Sequence, residues 1–175
     1  MKTPLLETER LILRPLKKDD AETVFNNWSS NPENTRFVQF NTHLNIRETE
    51  EWLSSEEKAV CSENNYNWGF VLKKSGMLIG SGGITYNKEH QMFELGYIIM
   101  HQHWGCGITS EAVQMIITFA RSELGLQKLF GKHAKENTAS ERVMEKHGFV
   151  YQNAGKYAKL NGDEEFESRE YILYL

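Results

Sequence analysis

The sequence predicts an α/β fold: a mixed, mostly antiparallel sheet of six to seven strands with about four flanking helices. Three observations carry that prediction. Apolar residues switch repeatedly between a period of two and a period near 3.6. Two of the strand-like runs are joined by the short turn Lys74-Ser75-Gly76, which forces them antiparallel. A buried strand-like run then leads through a glycine loop straight into a helix. With 175 residues and no internal repeat, low-complexity stretch or Pro/Gly/Ser-rich linker, residues 1–175 read as one domain.

Taken in order, residues 9–16 (ERLILRPL) alternate apolar and polar like a strand, and Asp19 with Glu22 opens a helix running to about Ser29. Asn45 and Glu48 form a second capping pattern, ahead of a helix that ends near Cys61. Residues 67–72 and 77–85 are the two hairpin strands. Residues 93–100 (FELGYIIM) read as a buried strand entering the aperiodic run 101–107. From Thr109, the residues Ala112, Val113, Met115, Ile116, Phe119 and Ala120 recur at helical spacing and define one buried face. Residues 128–134 form a short strand, and Thr138-Ala139-Ser140-Glu141 is a capping box for a helix that Gly148 ends. Runs from Tyr151 and over 168–175 (SREYILYL) supply the last strands.

Composition narrows the function classes. A formal net charge of -4, with no basic stripe, offers no field for nucleic acid. The start MKTPLLETER has no apolar signal-like stretch, and no run approaches a membrane span, so a cytoplasmic location without membrane contact is expected. Cys61 and Cys106 are the two cysteines; they have neither disulfide-framework nor metal-site spacing, so unpaired thiols and no metal are expected.

A glycine loop between a strand and a helix gathers unpaired N–H groups at the positive end of the helix dipole, which suits a pyrophosphate. Gly105-x-Gly107-x-x-Ser110 imitates a dinucleotide fingerprint, but the third glycine is missing and its strand follows a hairpin instead of opening the chain. A tight turn without a ligand is the plainer reading of two glycines.

Five ordered stretches resemble the GNAT superfamily of acetyltransferases, and within it the RimJ/RimL branch that acetylates the N-termini of ribosomal proteins. They are ETERLILRPL with Asp19-Asp20-Ala21, NPENTRF at 31–37, ELGYIIM, WGCGITSEA and ENTASERVMEKHGF, which together span nearly the whole chain. The superfamily's pyrophosphate signature fits two registers: one by letter from Gln102, and the branch's own, which sets Trp104 at its first position. The second brings the loop directly against the helix start. The resemblance then implies acetyl-CoA as co-substrate. The backbone of Gly105, Cys106, Gly107, Ile108, Thr109 and Ser110 would wrap its pyrophosphate, Ile98, Ile99 and Met100 would pair with its pantetheine arm as an added strand does, and Asn137 would contact that arm.

Amine attack on a thioester needs a neutral amine, an oxyanion contact and help for the departing thiolate. A backbone N–H near Ile99 or Met100 suits the oxyanion. Glu94, six residues before Met100, matches the catalytic glutamate of the histone-acetylating branch in that spacing and is the expected base, working through water. His133, four residues before Asn137 on a strand end expected to be partly exposed, is its rival, with an ordinary pKa of about 6.5. Either residue also has a plain surface reading, as do His101 and His103 beside the loop. Much of the superfamily has a tyrosine seven residues after the asparagine; here that residue is Met144, and Ser140 or water must serve as the acid. Direct transfer leaves Cys106 without a nucleophilic role. Trp28, Trp52, Phe37 and Phe40 line either the acceptor pocket or the core.

The acceptor is a primary amine, either the α-amine of a protein N-terminus or a small amine such as a polyamine or aminoglycoside. The acidic run 163–167 would favour cations, or is a solvated hairpin tip. A coenzyme A-binding sensor without transfer activity and a dinucleotide-binding oxidoreductase are the competing functions, and monomer and homodimer both stay open.

Overall fold

The computed structural model describes residues 2–175. One eight-stranded sheet runs through them, in the order β1-β2-β3-β4-β5-β6-β8-β7. The strands are β1 (Leu6–Glu7), β2 (Leu11–Arg14), β3 (Asn65–Leu72), β4 (Leu78–Asn87), β5 (Met92–Ile99), β6 (Lys128–Ala134), β7 (Val150–Ala158) and β8 (Glu165–Tyr174). The helices are α1 (Ala21–Val24), α2 (Pro32–Thr35), α3 (Ile46–Ala59), α4 (Ile108–Ser122) and α5 (Thr138–Lys146). The predicted class holds, with one more strand and one more helix than expected. The extras are β1, a two-residue strand, and α2, a single turn. Neither is long enough for a period to show.

All strand pairings are antiparallel except β5–β6, whose crossover is α4. That parallel ladder is short: Phe93–Leu129, Glu94–Phe130 and Leu95–Gly131. Beyond it, residues 96–99 of β5 stay with β4, while residues 132–134 of β6 stay with β8. The sheet therefore splits into a wedge.

Side chains alternate across a strand, so the two faces sort cleanly. One carries Tyr66, Trp68, Phe70, Leu95, Tyr97 and Tyr171 and packs under α4 and α5; Phe119 of α4 meets Tyr66 and Trp68 with ring centroids 5.3 and 5.1 Å apart. The other is covered by α1 and α3 over the first strands, where Trp28 and Leu53 are fully buried. Over the wedge that second face is open.

Helix starts follow their caps. Asn45 caps α3 by accepting from Arg47 N, as predicted. At α5 the cap is Asn137, whose side chain accepts from Ser140 N, and not Thr138; the Asx side chain one residue earlier reaches the same orphan amide. Among the described residues no helix is long and apolar enough to cross a membrane, and no group of three or more His, Cys, Asp or Glu is placed to hold a metal.

Candidate active site

The wedge and the loop after it form the site. Met100 N donates to Ile79 O at 2.9 Å, and since N–H and C=O directions alternate along a strand, Ile98 and Met100 turn their backbone to β4. Tyr97 and Ile99 therefore face the gap. Trp104, 47% exposed, donates its indole N–H to Ile99 O at 2.9 Å, leaving the Ile99 amide and the peptide groups of Tyr97 open. Against expectation, Ile98 and Met100 have their backbone engaged with β4; of the expected trio only Ile99 turns toward the wedge, together with Tyr97. For the same reason the Met100 amide is engaged with β4 and closed to a ligand, while the Ile99 amide is open.

Gly105 and Gly107 both adopt φ +74°, a left-handed conformation that costs a side-chain-bearing residue. Alternating left- and right-handed residues turn successive amides to one side and form an anion-binding concavity. Gly107 is the N-cap of α4, so the first turn of that helix, with Ile108, Thr109 and Ser110, opens directly onto it. A clamp from the turn between β1 and β2 fixes the loop: Arg10 Nη1 donates to Cys106 O at 3.0 Å and turns that carbonyl away from the amides. Glu111 accepts from Arg10 Nε at 2.6 Å, Arg10 N at 2.8 Å and Thr8 Oγ1 at 2.5 Å. Burial acts to raise the Glu111 carboxyl, but these donors outweigh it and hold it below its ordinary value. Ser110 Oγ meets His147 Nε2 at 2.9 Å, and His147 is held below its ordinary value by burial and then by Lys146. Cys106 and Cys61 are exposed free thiols.

Glu94 lies on the open face, beside Gly96, where an added Cβ would meet nothing. Its Oε2 accepts from Asn87 Nδ2 at 2.6 Å and its Oε1 lies 3.3 Å from Lys132 Nζ. His133 falls on the opposite face and is 4% exposed, against the expected partly exposed position. Its Nδ1 donates to Ala134 O at 2.8 Å, so Nε2 is left to accept from the Tyr171 hydroxyl at 3.2 Å. Alternation separates the two candidate bases: one faces the open cleft and the other the helix-covered core. Ser140, in the first turn of α5, bonds the Tyr97 hydroxyl at 2.7 Å, and Met144 is buried at 1% exposure beside Gly131.

A wall closes the cleft beyond Glu94. Lys159 Nζ donates to the carbonyls of Thr35, Val38 and Phe40 at 2.5, 2.7 and 3.3 Å, and Tyr157 Oη donates to Phe37 O at 2.7 Å. Phe37 packs on Phe166, which belongs to the run expected as a solvated tip. Burial pushes the Tyr157 phenol up to about 12. Trp28 is core; Trp52 stacks on Phe40 at 6.0 Å. Thr8, Arg10, Glu111, Tyr97, Lys132 and Lys159 were not singled out from the sequence. Thr8 and Arg10 lie in the ETERLILRPL stretch, Tyr97 in ELGYIIM and Glu111 in WGCGITSEA, whereas Lys132 and Lys159 lie outside every such stretch.

A split antiparallel sheet with a glycine nest at the end of its splayed strand has a known counterpart: the sequence profile of the acetyltransferase (GNAT) domain matches residues 10–150. The chain belongs to the GNAT family. The N-acetyltransferase YoaA of Bacillus subtilis (strain 168), itself uncharacterized, is 30% identical over 164 residues, covering 88% of this chain and 92% of the relative. A GNAT-family acetyltransferase from Bacillus anthracis has the same fold, with a TM-score of 0.81 at 23% identity over 98% of both chains. So does the ribosomal-protein-S5-alanine acetyltransferase from Vibrio fischeri, with a TM-score of 0.79 at 19% identity over 98% of this chain and 96% of that one. The protein is an N-acetyltransferase of a family that uses acetyl-CoA and acetylates amines.

Proposed function

We propose that the protein transfers acetyl from acetyl-CoA directly to a primary amine, without a covalent enzyme intermediate and without a metal. The observation that carries this reading is the wedge: the open peptide groups of Tyr97 and the open amide of Ile99 lead into a nest of loop amides, a set that suits a chain of amides ending in a pyrophosphate. Loop residues 105–110 would hold the pyrophosphate, and Asn137, whose Oδ1 caps α5, would offer its Nδ2 to the pantetheine amides. The co-substrate supplies an acetyl group on a thioester.

The chain's own residues supply the rest. The Ile99 amide is a donor for the developing oxyanion. Glu94, gripped by Asn87 and Lys132, holds a water that removes the amine proton. Ser140 faces the sulfur. His133, with both ring nitrogens engaged on the far face, orders the core instead of taking the proton.

Lys132 favours an α-amine as acceptor. Its ammonium, paired with Glu94 and 16% exposed, puts a positive charge in the floor of the cleft. Because Glu94 neutralises that charge, the floor offers a polyammonium acceptor no net attraction, whereas an N-terminal residue brings a single amine to Glu94 and a neighbouring carbonyl that can accept from Lys132. The RimJ/RimL-like motifs, and the fold neighbour named for ribosomal-protein acetylation, support the same class.

Calorimetry with acetyl-CoA, CoA and NAD(H), followed by mass-spectrometric screening of free-N-terminus peptides against spermine and an aminoglycoside, tests this. Micromolar acetyl-CoA binding and acetylated peptide N-termini are expected. Binding without transfer to any amine would favour the sensor, NAD(H) binding alone would favour the oxidoreductase, and preferential spermine acetylation would overturn the role of Lys132.

A further inference from the structure

We propose that Tyr97 is a positioning residue for the departing sulfur: its hydroxyl donates to Ser140 Oγ, leaving the Ser140 proton free for the thiolate. This rests on the acetyl-transfer reading above. Tyr97 stands on β5 beyond the last residue pair with β6, and Ser140 stands on α5, the helix that follows β6. Their 2.7 Å bond therefore spans the two arms of the wedge.

Both ends are fixed by other contacts. Ser140 N donates to Asn137 Oδ1 at 3.1 Å, and Ser140 is 8% exposed. Beneath Tyr97 lies Gly82, where a Cβ would come within 2.8 Å of both Tyr97 Cβ and Phe70 Cζ, so the glycine is what lets the tyrosine sit down on β4. A phenol is a better donor than an alcohol, and the next acceptor for it, Ser140 O, lies farther away at 3.4 Å. Burial pushes the Tyr97 phenol up to about 12, so it keeps its proton at neutral pH. The serine oxygen is then occupied by a donor, and its own single proton is left for the gap. At the position seven residues after Asn137, Met144 carries no hydroxyl.

The step balances without any further reagent. The N–C bond forms and the C–S bond breaks with its electron pair on sulfur; the amine proton passes to water at Glu94; the thiolate, hydrogen-bonded by Ser140, takes its proton from solvent on leaving.

Affinities of CoA and desulfo-CoA, measured calorimetrically, isolate the sulfur contact. Wild type is expected to prefer CoA by about tenfold, and Tyr97→Phe and Ser140→Ala to lose most of that preference while keeping desulfo-CoA affinity. In turnover, each variant is expected to lose about ten- to a hundredfold in kcat, and the double variant no more than either alone. A Tyr97→Phe protein with the wild-type preference, or losses that multiply in the double variant, overturns the proposal. If Tyr97→Phe does not fold, 3-fluorotyrosine at position 97 keeps the shape with a more acidic hydroxyl; a raised CoA preference supports the proposal and an unchanged one overturns it. If neither CoA nor desulfo-CoA binds wild type, the acetyl-transfer reading itself fails.

Discussion

Replacing Lys159 with methionine tests the wall beyond Glu94, as a proposed acceptor surface, separately from the wedge proposed for the co-substrate. The ammonium donates to three carbonyls, those of Thr35, Val38 and Phe40, and so ties the β7–β8 hairpin to the segment after α2. A hydrogen bond to a charged group contributes about 1.5–3 kcal/mol. Three carbonyls share one half-buried group, however, and solvent replaces part of what is lost, so the sum is nearer 2 kcal/mol, about the worth of one such bond. For a chain of this size that lowers the Tm by about 4–8 °C. The wall does not collapse, because Tyr157 Oη still donates to Phe37 O and Leu160 N to Gln39 O. In steady-state kinetics, KM for the acceptor is expected to rise about tenfold while acetyl-CoA affinity by calorimetry stays at the wild-type value, since no Lys159 bond touches β5 or the glycine loop. A Tm within a degree of wild type, or acetyl-CoA affinity falling in step with acceptor KM, would refute the reasoning.

Other expectations are as direct. Glu94→Gln keeps the Asn87 contact and the fold but is expected to lower kcat by about 10²–10⁴-fold in an acetyl-transfer assay, with CoA affinity unchanged. Gly107→Ala places a non-glycine residue at φ +74°, costing about 1–2 kcal/mol; the new Cβ meets Arg10 Nη2 at an ordinary 3.6 Å, so a roughly tenfold weaker CoA Kd is expected from backbone strain alone. His147 is depressed in the folded state, so below its unfolded value of about 6.5 the unfolded chain takes up protons first; melting temperatures should fall as pH drops below that point, and His147→Gln should flatten the slope. Tyr97 and Tyr157 shift the other way, to about 12, so stability should be lost as pH rises from about 10 toward 12, and the double phenylalanine variant should lose less of it.

What was legible in the sequence was whatever repeats locally. Alternation marked β2, apolar strand-like runs marked β3 to β6 and the last strands, the 3.6-residue period marked α4, and capping patterns marked α3 and α5, because each of these signals lies in consecutive residues. The glycine loop was legible because Gly105 and Gly107 lie only two positions apart in the chain. The clamp upon it was not: Arg10 and Glu111 are 101 positions apart and meet only after β2 has found its place. Glu94 was found by its spacing to Met100, but its partner Lys132 depends on the parallel β5–β6 register, which no local pattern encodes. His133 shows the limit of reading a residue from its place near a strand end. Period-two alternation put it on the face opposite Glu94, and β8, supplying Tyr171, covers it.

The strand order has a consequence for how the protein is made. Strands β1 to β5 pair in the order of synthesis, so that half can close once residue 99 has emerged. The other half cannot, because β8 lies between β6 and β7 and supplies a partner to each. Until residues 165–174 emerge, β6 and β7 have no common neighbour, and His133 lacks the Tyr171 hydroxyl. A nascent chain therefore carries two unpaired strand edges through its last stretch of synthesis, and a substitution that weakens β8 would act first as an aggregation lesion and only afterwards as a loss of activity.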